Sequence, residues 1–216
     1  KANADELIGQ SLRNATAGPV YQPGDMYFVD INSKPRTGTK EQFAPGPDSI
    51  VNNNDRTYLG KTIAGHYYGL NIDANYAGFD ISIFLQGVGD LQKYNGLRAG
   101  GEAMGHIANQ WATVLNRWTP TNPSSTLPRN VYNNPTNPNR FSDRYIEDNG
   151  YLRLKALEIG YRLQGGLLGK IGFIQSLRVF GRGINLLTVT KWTGLDPEND
   201  DIPPTRQMLI GVNAAF

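Results

Sequence analysis

Residues 206–216 read RQMLIGVNAAF. Met208, Ile210, Val212, Ala214 and Phe216 fall on alternate positions, with Gln207, Gly211 and Asn213 between them. Successive side chains of a strand point to opposite faces, so this spacing describes a strand with one apolar and one polar face. It continues to an aromatic carboxyl terminus, and the partner of its apolar face is the first question the sequence raises.

The same period recurs upstream. In HYYGLNIDANY, residues 66–76, Tyr68, Leu70, Ile72, Ala74 and Tyr76 alternate with Gly69, Asn71, Asp73 and Asn75. After Ala77-Gly78 the next run sets Phe79, Ile81, Ile83 and Leu85 on one face and Asp80, Ser82 and Gln86 on the other, with Phe84 as the exception. Two alternating runs about a glycine-containing pair make a hairpin. In NGYLRLKALEIGYRLQ, residues 149–164, Leu157, Ile159, Tyr161 and Leu163 share a face while Leu152 and Leu154 have the other parity. Either a bulge lies near Ala156 or the apolar face changes role there. Residues 175–190 form a further strand, with Leu177 and Val179 opposite Arg178 and Arg182.

Five strands are therefore expected, at roughly 66–76, 79–88, 151–163, 175–190 and 206–216. The connections alternate between short and long. Residues 77–78 and GGLLGKIGF at 165–173 read as turns, and the segments from 89 to 150 and from 191 to 205 read as loops. Within the longer one, Met104, Ile107, Trp111, Val114, Leu115 and Trp118 are spaced as on one amphipathic helix, and a proline- and asparagine-rich stretch follows. Residues 1–65 read as irregular, with one short strand in MYFVDI at 26–31.

Short turns on one side, long loops on the other and strands of about ten residues describe a transmembrane β-barrel. A soluble β-sandwich shows the same alternation. The terminal strand favours the barrel: an aromatic last residue suits a strand that closes a cylinder against a first strand lying outside this chain. Counting from the 77–78 turn puts the carboxyl terminus at that same end, the periplasmic one in such a barrel.

Composition fits this class. The 216 residues carry a net charge of +2, 39% hydrophobic and 19% charged residues, 25 glycines, 13 prolines and eleven tyrosines. No basic block invites nucleic acid. No apolar run of about eighteen residues spans a membrane as a helix, which has no bearing on a barrel. The absence of cysteine excludes disulfides and zinc–thiolate sites. Lys1 reads as an internal or processed start, so the chain is expected to be part of a longer protein.

No catalytic, cofactor-binding or metal-ligating set is assigned. There is no serine in a nucleophile-elbow setting and no phosphate-binding glycine loop, and GRG at 181–183 lies within a strand. His106 has no partner at ligand spacing. Glu198 and the Asp200–Asp201 pair, in a proline-flanked loop, read as solvated. In DRYIEDNG, 143–150, Arg–carboxylate pairs are expected to order a strand end.

The motifs PGDMYFVDIN, NNNDRTYLG, YYGLNIDANYAGFDISIFLQGV, NRWTPTNP, RYIEDNGYLRLKALEIGYRL and LRVFGRGINLLTVTKWTGLDPE occur in this order, closed by the terminal phenylalanine. Together they resemble the carboxyl-terminal part of the SusC/RagA family of TonB-dependent outer-membrane transporters, from about residue 20 onward. The resemblance implies the last strands of a plugged barrel of about 22 strands. It also implies a SusD-like surface lipoprotein as lid, the TonB complex as energy source and oligosaccharides or peptides as cargo. One departure is visible. Family members commonly carry D-x-N-x-D-G after PGD, whereas here Asp30 and Asn32 run into Ser33-Lys34-Pro35-Arg36 before Asn54-Asp55. An Asx turn suits this stretch better than a calcium shell of six or more oxygens.

Within that frame, Trp111, Trp118 and Tyr132 are candidates for contact with lid or substrate, against a bland role in packing the loops. Asp73, Asp80, Arg178 and Arg182 are expected to face the lumen, because a charge in hydrocarbon costs roughly 2–4 kcal/mol at the midplane. Met208, Ile210, Val212 and Phe216 are expected to close the barrel. Two rival readings remain at this stage: a soluble all-β glycan-binding module at the cell surface, and a barrel that only anchors surface loops.

Overall fold

The computed structural model describes residues 22–26, 28–35, 43–47, 51, 55–105, 107–123, 126–133, 141–163 and 173–216. The expectations for His106, for Asn54 and for most of the 165–173 turn lie outside them. In chain order the elements are β1 (Asn32–Pro35), β2 (Phe43–Pro45), β3 (His66–Tyr76), β4 (Phe79–Gly89) and β5 (Gln92–Tyr94). The short helix α1 (Gly96–Gly101) follows, then two 3-10 turns, Ala112–Asn116 and Asp143–Tyr145. Last come β6 (Ile146–Asp148), β7 (Tyr151–Arg162), β8 (Ser176–Thr190) and β9 (Gln207–Ala215). They group into two compact units, residues 1–59 with 96–145, and residues 60–95 with 146–216.

The second unit is built on an antiparallel sheet in the order β3-β4-β7-β8-β9, each strand beside its sequence neighbour. Alternation sets the register. Leu70, Ile72, Ala74 and Tyr76 lie opposite Leu85, Ile83, Ile81 and Phe79. Ile81 and Ile83 in turn lie opposite Ile159 and Leu157, and a one-residue slip would exchange the faces throughout. Ala77 and Gly78, both at positive φ, make the two-residue turn whose twist matches the flanking strands. Phe84 belongs to the polar face, where its ring lies over Gly69. That fills the gap left by the missing side chain and accounts for the break in alternation.

The parity change in β7 is a bulge. Phe84 and Leu85 are consecutive on β4, but their partners on β7 are Ala156 and Leu154, so Lys155 is an extra residue. The irregularity widens on β8, where the partners are Ile184 and Leu187. Asn185 and Leu186 are both extra there, with Asn185 at positive φ. One inserted residue inverts the phase of β7; two restore it on β8, which is why β8 reads as unbroken. The bulge sends Lys155 to the Glu198 carboxylate, 3.8 Å away, on the polar side. An unbroken strand would carry that ammonium on the face of Leu157 and Ile159.

The 77–78 turn, Leu163 and Gln175 beside the ends of β7 and β8, and the carboxyl terminus lie at one end of this sheet, with Gln175 N–H donating to Ala215 O at 2.8 Å. The 90–150 and 191–206 connections leave from the other. The apolar face is bare. Ile210 is 88% exposed, Met208 78% and Val212 60%, and Leu70, Phe79, Ile159 and Val189 are exposed as well.

In the first unit, Met104, Val114 and Leu127 form a small buried cluster. The expected helix through 104–118 is absent: α1 ends at Gly101, and a 3-10 turn covers only Ala112–Asn116. Gly100, Gly101 and Gly105 weaken helix continuation, and the Trp111 N–H donates to Gly101 O at 2.9 Å, folding the chain back on α1. Ile107 and Leu115, read as part of the apolar stripe, are exposed. The short strand expected at 26–31 is displaced to β1, because the Ile31 N–H goes to the Asp55 carboxylate at 2.9 Å.

Candidate functional site: the polar face and its loop collar

Side chains at positions 80, 82, 84 and 86 of β4 share the second face of the sheet with Tyr151, Arg153, Glu158 and Gly160 of β7 and Arg178, Phe180 and Arg182 of β8. Near the 77–78 turn, the Arg178 guanidinium spans two strands. Its Nε donates to Asp80 Oδ1 at 3.0 Å, and its terminal nitrogen donates to Asp80 and, at 2.7 Å, to Glu158. Arg182 stands 4.0 Å from the other Glu158 oxygen. Gly160 makes this crossing feasible, since a Cβ there would lie 2.5 Å from Arg178 and 2.6 Å from Asp80. Three of the four charged candidates therefore meet in one network. Asp73 shares their face, opposite Ser82, with no ion pair among the described residues.

At the loop end a second network forms about Arg153, whose side chain is fully buried. It donates to Thr188 Oγ1 at 2.9 Å, to Asp196 at 2.6 Å and to Glu198, and its guanidinium lies over the Tyr151 ring. The Asp196 carboxylate also caps the turn through the Glu198 N–H at 2.9 Å. Asn149 donates from Nδ2 to Pro197 O at 2.8 Å. Asp200 takes the Trp192 indole N–H at 3.1 Å and pairs with Lys93 at 2.7 Å. Fully buried Asn95 bridges Thr193 and Glu147.

This collar corrects one expectation. Glu198 and Asp200 are held by Arg153 and Lys93, and only Asp201 of the three acids is without an ion pair among the described residues. Sequence alone hid the pairing because Arg153 and Glu198 are 45 residues apart. Arg144, expected to pair with carboxylates of its own 143–150 segment, pairs instead with Glu102 at 2.8 Å. The segments IEDNGYLRL, 146–154, and TKWTGLDPE, 190–198, are the two halves of one collar.

The aromatic candidates separate. The Trp118 ring lies against Gly24, at 2.4 Å from where a Cβ would stand, over a turn held by the Arg129–Asp25 pair. Trp111 packs likewise on Gly101. Both have structural occupations in the first unit, although Trp111 is also 37% exposed, and Tyr132 is exposed at 74%. Met208, Ile210 and Val212 lie on β9, the free edge of the sheet, and the Phe216 ring stacks on Phe173. Among the described residues no three or more His, Cys, Asp or Glu side chains gather as a metal site.

A meander with one bare apolar face, one charge-paired polar face, and short and long connections at opposite ends is a piece of an outer-membrane β-barrel. No family model matches the chain. It is 36% identical over 186 residues to TonB-dependent receptor P3 of Formosa agariphila, covering 85% of this chain and 16% of that protein. TonB-dependent receptor P26 of the same organism is 27% identical over 195 residues. The solved RagAB peptide transporter superposes with a TM-score of 0.70 at 25% identity, over 80% of this chain and 19% of that one. The RagAB importer in its open-open state gives 0.68 at 24% identity and supports the fold. The chain belongs to the SusC/RagA family of TonB-dependent outer-membrane barrels, as a carboxyl-terminal part of such a protein. It spans between 16% and 21% of the length of the relatives it matches.

Proposed function

We propose that this chain supplies the closing strands of a TonB-dependent importer that carries oligosaccharides or peptides across the outer membrane beneath a SusD-like lid lipoprotein. The observation that carries it is the contrast between the two sheet faces: uncovered aliphatic and aromatic side chains on one, paired charges on the other. In this reading the apolar face meets hydrocarbon, and Asp73, Asp80, Arg178 and Arg182 line the lumen. The 90–150 and 191–206 connections are extracellular. The carboxyl terminus is periplasmic, and β9 pairs with the first barrel strand through the backbone groups it leaves free. A soluble glycan-binding module would bury Met208, Ile210 and Val212, which are exposed here.

The polar wall contributes passage and not chemistry. Cargo released below the lid would move past a surface on which Asp80, Glu158, Arg178 and Arg182 are paired with one another. Asp73 alone of the four charged candidates is open, so among the described residues the wall holds no cluster of one sign to trap ions. Energy would come through TonB, acting on parts of the protein outside this chain. The test is uptake. Cells carrying the whole gene should accumulate its cargo, and cells lacking TonB should lose that accumulation. Undiminished uptake without TonB would overturn the proposal.

A further inference from the structure

The connection between β8 and β9 does not stand away from the sheet; its middle folds onto the polar face. The Glu198 carboxylate meets Gln86 of β4 at 3.5 Å and Arg153 of β7, both at polar-face positions, and Lys155 of the β7 bulge at 3.8 Å. We propose that residues 198–204 are a flap over the loop end of this face. It is hinged at Asp196–Pro197 and at Thr205, latched by Glu198 and Asp200, and opens while both hinges stay in place.

The hinges are the firmly held points. Asp196, buried itself, pairs with the fully buried Arg153 at 2.6 Å and accepts the N–H groups of Glu198 at 2.9 Å and Asn199 at 3.4 Å. Pro197 O takes the buried Asn149 amide at 2.8 Å. At the far end Asn185 Nδ2 donates to Thr205 O at 3.1 Å. Asn185 is one of the two extra residues of β8, at positive φ, so the irregularity in the strand also fixes where the flap ends. β9 takes up its pairing two residues later, at Gln207.

Anchor and latch differ in what their release leaves behind. Arg153 holds two carboxylates. If Asp196 left, a buried pair would be broken on one side, which is strongly destabilising. If Glu198 left, Arg153 would keep Asp196, while Glu198 and Lys155, each one-third exposed, would pass to water. The second latch is Asp200, which pairs with Lys93 at 2.7 Å and takes the Trp192 indole N–H; the two charged side chains are 26% and 36% exposed. Ion pairs open to this degree contribute little and are screened by salt. The flap is thus weakly held between two strongly held points. Glu198 also lines a cleft of about 410 Å³ between sheet and collar, which opening of the flap would widen.

The test is electron paramagnetic resonance on the full-length protein in detergent, any cysteine outside this chain being replaced by serine. A single spin label is carried on Ile202→Cys, in the flap, or on Leu195→Cys, before the first hinge, and a heat-modifiable gel band checks the folding of each protein. At low salt both labels should move slowly. Molar salt, where the screening length falls to about 3 Å, should add a mobile component at 202 and leave 195 unchanged. Glu198→Gln should raise the ratio of mobile to immobile label at 202 about fivefold, the loss of one partly exposed pair, again without effect at 195. Asp196→Asn should mobilise both positions.

A label at 202 indifferent both to salt and to Glu198→Gln would mean a fixed wall and overturn the flap. Labels at 195 and 202 loosening together in salt would remove the first hinge and overturn it equally. So would unchanged motion at 195 in Asp196→Asn; should that variant not fold, the salt and Glu198→Gln arms decide alone. None of these readouts passes through uptake, so the flap and the import proposal stand or fall separately.

Discussion

Ile83 and Ser82 are neighbours in β4 with opposite surroundings. Ile83 lies between Ile72 and Leu157 on a face with no second sheet against it, while Ser82 lies between Asp73 and Glu158 on a face where arginines bridge strands. In water the first arrangement is a liability and the second is ordinary; in a bilayer the apolar face is covered by lipid and the polar face is enclosed. The difference teaches that this sheet is designed for two solvents at once. Its irregularities fit that division, since the bulge at Lys155 keeps an ammonium off the apolar face.

The largest expected effect breaks that contrast directly. Ile83→Arg in the full-length protein should cost about 2–4 kcal/mol and abolish the heat-modifiable, folded band on a gel. Ser82→Arg, one residue away, should leave that band in place. Arg153→Ala should follow. It strands Asp196 and Glu198 beside a cavity, a loss of about 3 kcal/mol, near the low end for a buried pair because Glu198 is one-third exposed. Hydrogen exchange in residues 192–200 should rise sharply while β3 and β4 stay protected.

A smaller effect sharpens the comparison at the turn end. Gly160→Ala places a methyl group against Arg178 and Asp80 and should cost about 1–3 kcal/mol, read as a lower urea midpoint. The smallest is Lys155→Gln. Its 3.8 Å pair with Glu198 is long and one-third open to solvent on both sides, so a change within about 1 kcal/mol is expected. A much larger loss would mean that the bulge depends on that charge.

Period-two alternation is local, and it made the sheet legible. β3 occupies the expected 66–76, and the other strands end within a residue or so of where the pattern placed them. The bulge showed as a parity change at Leu154 and Leu157, but its widening on β8 was invisible, because two extra residues leave parity intact. Helical spacing misled at 104–118, where glycines and the return to Gly101 outweighed a pattern that a loop reproduces by chance. The collar was hidden for a different reason. Arg153, Glu198, Lys93 and Asp200 are unremarkable apart, and only the turn back of 191–205 over the strand end joins them.

The most direct test uses the absence of cysteine in this chain. Single cysteines at 82, 83, 210 and 213 of the full-length protein, each bearing a fluorophore, would be measured in bilayers with quenchers confined either to the acyl chains or to water. Labels at 83 and 210 should be quenched from the lipid and those at 82 and 213 from the aqueous side. Labels at 83 and 210 shielded from acyl-chain quenchers would contradict the placement of this face against the membrane.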